Sequence, residues 1–319
     1  MPLYEVFSHS DRYHYRAKLF SLATCFLILC TALTFLPPFL FAYFAGGYWT
    51  KESSYSEQAR VNYSSQYILL LDNSEGSLSS FFSSSFATLN SISQNALIPS
   101  TSTSELLDTN KDGITDQISV SLQLIMNSGI SIDSMNLFLI FQYELQAKQY
   151  INMQTMALMN LSPPTQISTT NNPTVTIVGD LILQQRQPIQ SSGTDLIYNK
   201  SIIEPNNLAN IRLSTFDSII DNYLTRKYYT TFQSESIQWT DGTDSTSGNL
   251  LTLNILLNIR HQSIRFIPGF WQEFKWGWIQ YVCVLLPFIA VFNRIKEFVF
   301  RNQFVRTLVE VPMHRYKQK

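Results

Sequence analysis

The stretch LFSLATCFLILCTALTFLPPFLFAYF, from Leu19 to Phe44, decides how the rest of this chain must be read. No charged residue occurs between Leu19 and Gly47. A bilayer core about 30 Å thick is crossed by about 20 apolar helical residues, so this window can span with tilt. Pro37 and Pro38 are expected to kink or end the helix near its outer third, since neither has an amide hydrogen for the ladder. A cleaved leader would have an apolar stretch of only about 7–15 residues, followed by small residues. Here the stretch is longer and runs into Tyr43, Phe44, Tyr48 and Trp49, which favours an uncleaved anchor.

A second window, WGWIQYVCVLLPFIAVF from Trp276 to Phe292, holds 17 residues without a charge. Trp271, Trp276, Trp278 and Tyr281 crowd its start, and Tyr48 and Trp49 follow the first window. Such aromatic residues anchor helices at the membrane–water interface. Arg294 and Lys296 close the second window sharply. The short flanks set orientation, because lysine and arginine accumulate on the cytosolic side. Residues 1–18 and 293–319 together carry ten cations, among them Arg294, Lys296, Arg301 and Arg306, against four acids. The stretch between carries 12 cations and 19 acids. Both ends are therefore expected in the cytosol. The basic tail fits either the anionic membrane face, at about 1 kcal/mol per cation, or a cytosolic partner.

The organisation expected is a cytosolic segment at 1–18, a membrane helix at 19–44, an extracellular or lumenal β-rich domain at 45–270, a second membrane helix at 271–292 and a basic cytosolic tail at 293–319. The fold class is that of an α+β membrane protein, with two transmembrane helices flanking a sandwich-like domain that holds at least one helix. Cys25, Cys30 and Cys283 all fall in the apolar windows, so the middle domain is no disulfide scaffold. The net charge of −1 gives no reason to expect nucleic acid.

Strand signals dominate the middle. Ile118, Val120, Leu122 and Leu124 alternate with polar residues, as do Leu137, Leu139, Phe141 and Tyr143. Val175, Ile177, Leu181 and Leu183 mark a third run, and Leu251 to Ile259 a fourth. A period of two marks half-buried strands, and Asp112-Gly113, Pro163-Pro164, Asn172-Pro173, Ser192-Gly193 and Asp241-Gly242 supply turns between them. One helix is expected over Thr215–Arg226, N-capped by Ser214, with Phe216, Ile219, Ile220 and Tyr223 on one face. The serine-rich Ser74–Thr103 reads as loop with a short strand at Phe81–Phe86.

Signals for chemistry are few. DTNKDGITD offers oxygen ligands at Asp108, Asn110, Asp112 and Asp116, with Gly113 making the turn, a candidate Ca2+ loop. The twelfth position is Ser119 rather than glutamate, so it departs from the EF-hand. A tight turn with solvated acids is the other reading. Asn62, Asn160 and Asn199 open N-glycosylation sequons, no more than this composition gives by chance. The middle domain has one histidine, His261, and neither a GxSxG elbow nor an HExxH helix, so an enzyme is not expected. Neither apolar window carries a charge that would mark an ion path.

MPLYEVFSHS with YRAKLF, YWTKESSYSEQ after the first window, DTNKDGITD, GDLILQQRQP, and PGFWQEFKWGWIQYV running into RIKEFVFRNQFV follow one another along essentially the whole chain. Together they resemble the transmembrane protein 231 family. That resemblance implies a non-enzymatic subunit of the tectonic-like, or Meckel syndrome, complex at the ciliary transition zone, contributing to a membrane diffusion barrier and to ciliogenesis. It implies membrane lipid, the tectonics, meckelin, B9-domain proteins and small transmembrane subunits as partners. The alternative is an auxiliary or pore-forming subunit of a two-pass channel or flippase-type complex, although such outer domains are typically cysteine-rich.

Overall fold

The computed structural model describes residues 14–73, 80–92, 94–126, 131–163, 167–168, 172–203, 213–240 and 249–310. In chain order the elements begin with β1 (His14–Arg16), α1 (Leu22–Phe44), β2 (Ser53–Glu57), β3 (Arg60–Asp72), β4 (Ser80–Ser84), α2 (Ala87–Ile92) and β5 (Ser100–Leu107). They continue with β6 (Gln117–Ile125), β7 (Ser131–Ile132), β8 (Ser134–Leu145), β9 (Tyr150–Leu161), β10 (Ile167–Ser168), β11 (Thr174–Gln185) and β12 (Thr194–Asp195). The last are α3 (Leu213–Leu224), β13 (Tyr228–Thr240), β14 (Leu250–Asn258), β15 (Gln262–Phe266), α4 (Phe270–Arg301) and β16 (Leu308–Glu310). Two compact units result: residues 1–50 with 270–319, and residues 51–269.

The first unit is a helical hairpin. Ser21 caps α1, its hydroxyl accepting from the Thr24 amide, so the helix starts at Leu22 rather than Leu19. The two prolines do not end it: α1 runs through Pro37 and Pro38 to Phe44. Just before them the Thr34 hydroxyl bonds back to the Cys30 carbonyl at 2.7 Å. Helix α4 is 32 residues long and continues past Arg294 and Lys296, beyond the charge boundary expected to close it. Phe26 meets Phe300, Phe41 meets Phe288 and Phe39 meets Tyr281, so the helices run antiparallel. Beyond α4 the tail turns back, and β16 pairs antiparallel with β1, Tyr15 opposite Val309. By length and composition, α1 is the one helix among the described residues long and apolar enough to cross a membrane.

The second unit is built on two five-stranded sheets. The first has the order β13-β11-β14-β6-β5, antiparallel except for the parallel β11–β14 pair. The second has the order β12-β9-β8-β3-β4. The alternation in the sequence becomes one core. Ile118, Val120, Leu122 and Leu124 of β6 and Leu251, Leu253, Ile255 and Leu257 of β14 are all fully buried. They share one cluster with Leu69 of β3, Leu137, Leu139 and Phe141 of β8 and Met153 of β9. Polar residues between them face outward as a ladder in which Ser121 donates to Asn254 and Gln117 to Asn258.

The second sheet is buried on its other face as well. Phe138 and Ile140, the residues out of phase with the β8 run, pack with Ile68, Met156 and Tyr223. Helix α3 covers them with Ile219, Ile220 and Leu224. It begins at Leu213, one residue before the expected cap Ser214, and ends at Leu224. Tyr223 fastens this helix where the two sheets meet. Its hydroxyl accepts from the Met156 amide of β9 at 3.1 Å and the Thr230 amide of β13 at 2.9 Å. Arg226 follows, lying over the rings of Tyr198 and Tyr223 and donating to the Gln154 carbonyl.

The serine-rich region is more ordered than its composition suggests. It holds β4, α2 and the start of β5. Strand β5, STSTSELL, lies at a sheet edge with nearly every residue exposed. Its serines and threonines keep most of that edge polar, with Leu106 and Leu107 exposed at its end.

Candidate functional site

The DTNKDGITD loop joins β5 to β6 and is closed by its own side chains. Asp108 accepts from the amides of Lys111 at 2.7 Å and Gly113 at 2.9 Å. Asp112 accepts from the Ile114 amide and from the Asn110 side chain, while Asn110 accepts from the Asp112 amide. Asp116 accepts from the amides of Thr109 and Asn110. Lys111 and Gly113 stand at positive φ, 61° and 83°, which only a tight turn demands. The carboxylates thus do the work of closing the turn, and the geometry needs no ion to explain it. Among the described residues no group of three or more histidine, cysteine, aspartate or glutamate side chains is gathered to hold a metal.

Asp116 also ties the loop to the rest of the domain. Its Oδ1 accepts from Gln58 at 2.9 Å, and its carbonyl accepts from the Ile259 amide at 2.8 Å. The Gln58 bond first, and then the Thr109 and Asn110 amides, hold the Asp116 carboxyl below the ordinary carboxylate range. Around them lies a polar hollow that also includes Arg260 and His261. Arg260 is spent on Asp180 and Glu235 at 3.2 and 3.0 Å. Sequence reasoning singled out Asp116 but not Gln58, which carries no local signal.

All three sequon asparagines are exposed. Asn62 of β3 stands opposite Gln142 of β8, and Gln142 donates to Asn199 at 2.8 Å. Asn160 of β9 stands opposite Asn136. Asn62 and Asn199 therefore meet at one residue on the outward face of the second sheet.

In the helical unit, the interfacial aromatics come together where α1 ends and α4 begins. Tyr48 folds back so that its hydroxyl donates to the Phe39 carbonyl at 2.8 Å and its ring stacks on Phe39. Gly277 is the buried residue of α4, and a Cβ there would lie 3.2 Å from Tyr48 Cδ1. The exposed rings of Trp49 and Trp278 lie beside this point, and Trp276 and Trp271 are exposed as well, Trp271 at 77%. At the other end Arg294 pairs with Glu297 at 3.4 Å, and Lys296, Arg301 and Arg306 lie on the last turns of α4 and the segment after it.

A helix long and apolar enough to cross a membrane, paired with a second in an antiparallel hairpin, and a two-sheet β unit formed by the chain between them define an α+β membrane-protein architecture. The family model for transmembrane protein 231 matches residues 1–309, and the chain belongs to that family. Its relative from Homo sapiens is 36% identical over 314 residues, covering 97% of this chain and 95% of its own. The relative from Xenopus tropicalis is 35% identical over 312 residues, covering 97% of this chain and 96% of its own. A solved structure described as "Cryo-EM structure of a proton-activated chloride channel" matches at 7% identity and a TM-score of 0.30, covering 88% of this chain and 98% of that one. A score that low carries no argument about fold or function.

Proposed function

We propose that this chain is a non-enzymatic, two-pass structural subunit of the membrane complex at the ciliary transition zone. It contributes there to the barrier between ciliary and plasma membrane. The match to the family across residues 1–309 carries this reading. The hairpin supports the topology. Because α4 packs antiparallel along α1, a membrane that takes one takes both. The β1–β16 pair joins the start of α1 to the end of α4, which supports one side for both flanks, and the cations of those flanks favour the cytosol as that side. Residues 51–269 then form the exoplasmic body, with three exposed sequons.

In this reading the protein acts by holding others. The exoplasmic domain binds the outer domains of tectonics and meckelin, and the spans pack against those of small transmembrane subunits. The basic cytosolic flank meets anionic lipid and the B9-domain proteins. A tagged chain in ciliated cells tests this. It should form a ring just distal to the basal body, and its deletion should let plasma-membrane proteins enter the cilium. Uniform endoplasmic-reticulum or plasma-membrane signal, with normal cilia after deletion, would count against it.

A further inference from the structure

The three sequon asparagines lie on one face of the β domain. Asn62 of β3 is exposed between Val61 and Tyr63, which both pack into the core between the sheets, so its side chain points outward from the second sheet. Asn160 of β9 is exposed in the same way between Met159 and Leu161. Asn199 reaches that face through Gln142, which donates to its Oδ1 at 2.8 Å, a bond that does not use its Nδ2. The turn that ends at Asn199 also leaves Leu196 and Ile197 exposed.

The outward face of the first sheet is different. On its three central strands, β6, β14 and β11, the outward positions carry one charge, Asp180, and Arg260 pairs with it at 3.2 Å. Ser121, Asn254 and Thr176 run across the strands as a polar row, and Leu256 stands opposite Val178 beside them. Leu256 and Val178 belong to neither apolar cluster, so among the described residues no helix lies over them as α3 lies over the second sheet. Asn254 and Asn258 open no sequon, because Leu256 and Arg260 stand two positions on. Five strands about 4.8 Å apart and nine residues long span on the order of 700 Å². Each partner in a standard protein interface gives about 800 Å².

Resting on the exoplasmic reading above, we propose that N-linked oligosaccharides on Asn62, Asn160 and Asn199 keep the second sheet's face in solvent, and that the domain docks on neighbouring exoplasmic protein domains through the bare face of the first sheet. In each transfer the asparagine Nδ2 bonds to the anomeric carbon of an oligosaccharide carried on a lipid pyrophosphate. The lipid pyrophosphate leaves, and one amide proton passes to the transferase. The sugar on Asn199 also covers Leu196 and Ile197. The partner surface that fits the bare face is flat, uncharged and rich in hydrogen-bonding groups, since a strongly charged one finds no counter-charge among these strands.

The test uses the full chain, expressed in ciliated cells and extracted in mild detergent. Peptide N-glycosidase digestion should remove three glycans, and Asn62→Gln, Asn160→Gln and Asn199→Gln should each remove one. Leu256→Thr completes a sequon at Asn254 and sets a sugar in the middle of the bare face. It should lower co-purification of the tectonics and meckelin about tenfold, the scale of about 1.4 kcal/mol, whereas Leu256→Val, of the same shape without the sugar, should retain them. Ser119→Asn completes a second sequon with Ser121 on β6 and should act alike if Leu256→Thr fails to fold. Digesting the sugars from the assembled wild type should leave the partners bound. An unglycosylated wild type would overturn the proposal. So would a variant that carries the added sugar and keeps its partners, or loss of the partners on digestion. A wild type with three glycans but neither partner would sink the assembly reading and the docking face with it, while upholding the sugar-covered face.

Discussion

The side-chain amide of Gln58 donates to Oδ1 of Asp116 at 2.9 Å, and the same nitrogen reaches the Ile259 carbonyl at 3.0 Å. One buried side chain, between β2 and β3, thereby joins the β5–β6 loop to the end of β14. Replacing it strands two acceptors near the domain surface. Gln58→Leu is expected to destabilise the domain by about 1–3 kcal/mol, read as a lowered melting temperature of the full chain in detergent. Gln58→Glu should cost more at neutral pH, because it sets a second carboxylate against Asp116.

Asp116 makes the loop acid-sensitive. Its carboxyl is held low, first by the Gln58 bond and then by the Thr109 amide. A group depressed in the folded state stabilises fully above its unfolded pKa, about 3.9 for aspartate, and that contribution is lost as pH falls through the folded value. Protection of the amides across residues 108–116, measured against their intrinsic exchange rates, should therefore hold at neutral pH and fall only below about pH 4, the range set by that unfolded value. Asp116→Asn should exchange faster at neutral pH, and its difference from wild type should close in acid.

Tyr223→Phe removes one oxygen from the seam between the sheets. The Met156 and Thr230 amides lose their shared acceptor, and the site is 3% exposed, with little access for water to replace it. A loss of about 2–4 kcal/mol is expected from two unsatisfied buried donors. It should appear in chemical denaturation of the full chain, without loss of helix α3 from the circular dichroism.

Gly179 sits where β13 skips a residue against β11, with Val178 opposite Ser236 and Gly179 opposite Ser234. A Cβ there would lie 2.3 Å from the Gln233 carbonyl oxygen. The obstacle is backbone and cannot rotate away. Gly179→Ala should cost about 1–3 kcal/mol as overpacking, whereas Gly193→Ala, where no atom lies within 4 Å of the added carbon, should cost only the strain of its φ of 106°. Paired melting curves separate the two.

How much of this was legible depended on whether a partner surface was needed to see it. The inward residues of β6, β11 and β14 stood out because one face is buried and the other wet. In β8 the period of two revealed Leu137, Leu139 and Phe141 but hid Phe138 and Ile140, whose burial depends on α3, far along the chain. Strand β5 has no apolar period, since an exposed edge needs none, so it read as loop. The prolines of α1 do not end the helix, one of the two outcomes their missing amides allowed. The β1–β16 pair joins two three-residue strands at opposite ends of the chain and leaves no local mark. Tyr48 was legible as an interface anchor, but its seat over Gly277 was not, because the two come near only when the helices pair.

The central claim is that the two helices form one hairpin crossing the bilayer twice, with both ends together in the cytosol. Epitope tags at both termini and within the loop at Gly113, stained before and after selective plasma-membrane permeabilisation, test it most directly. The account predicts that on intact cells the loop tag alone is stained and that both terminal tags appear only after permeabilisation. Staining of either terminus on intact cells, or of the loop only after permeabilisation, would contradict it.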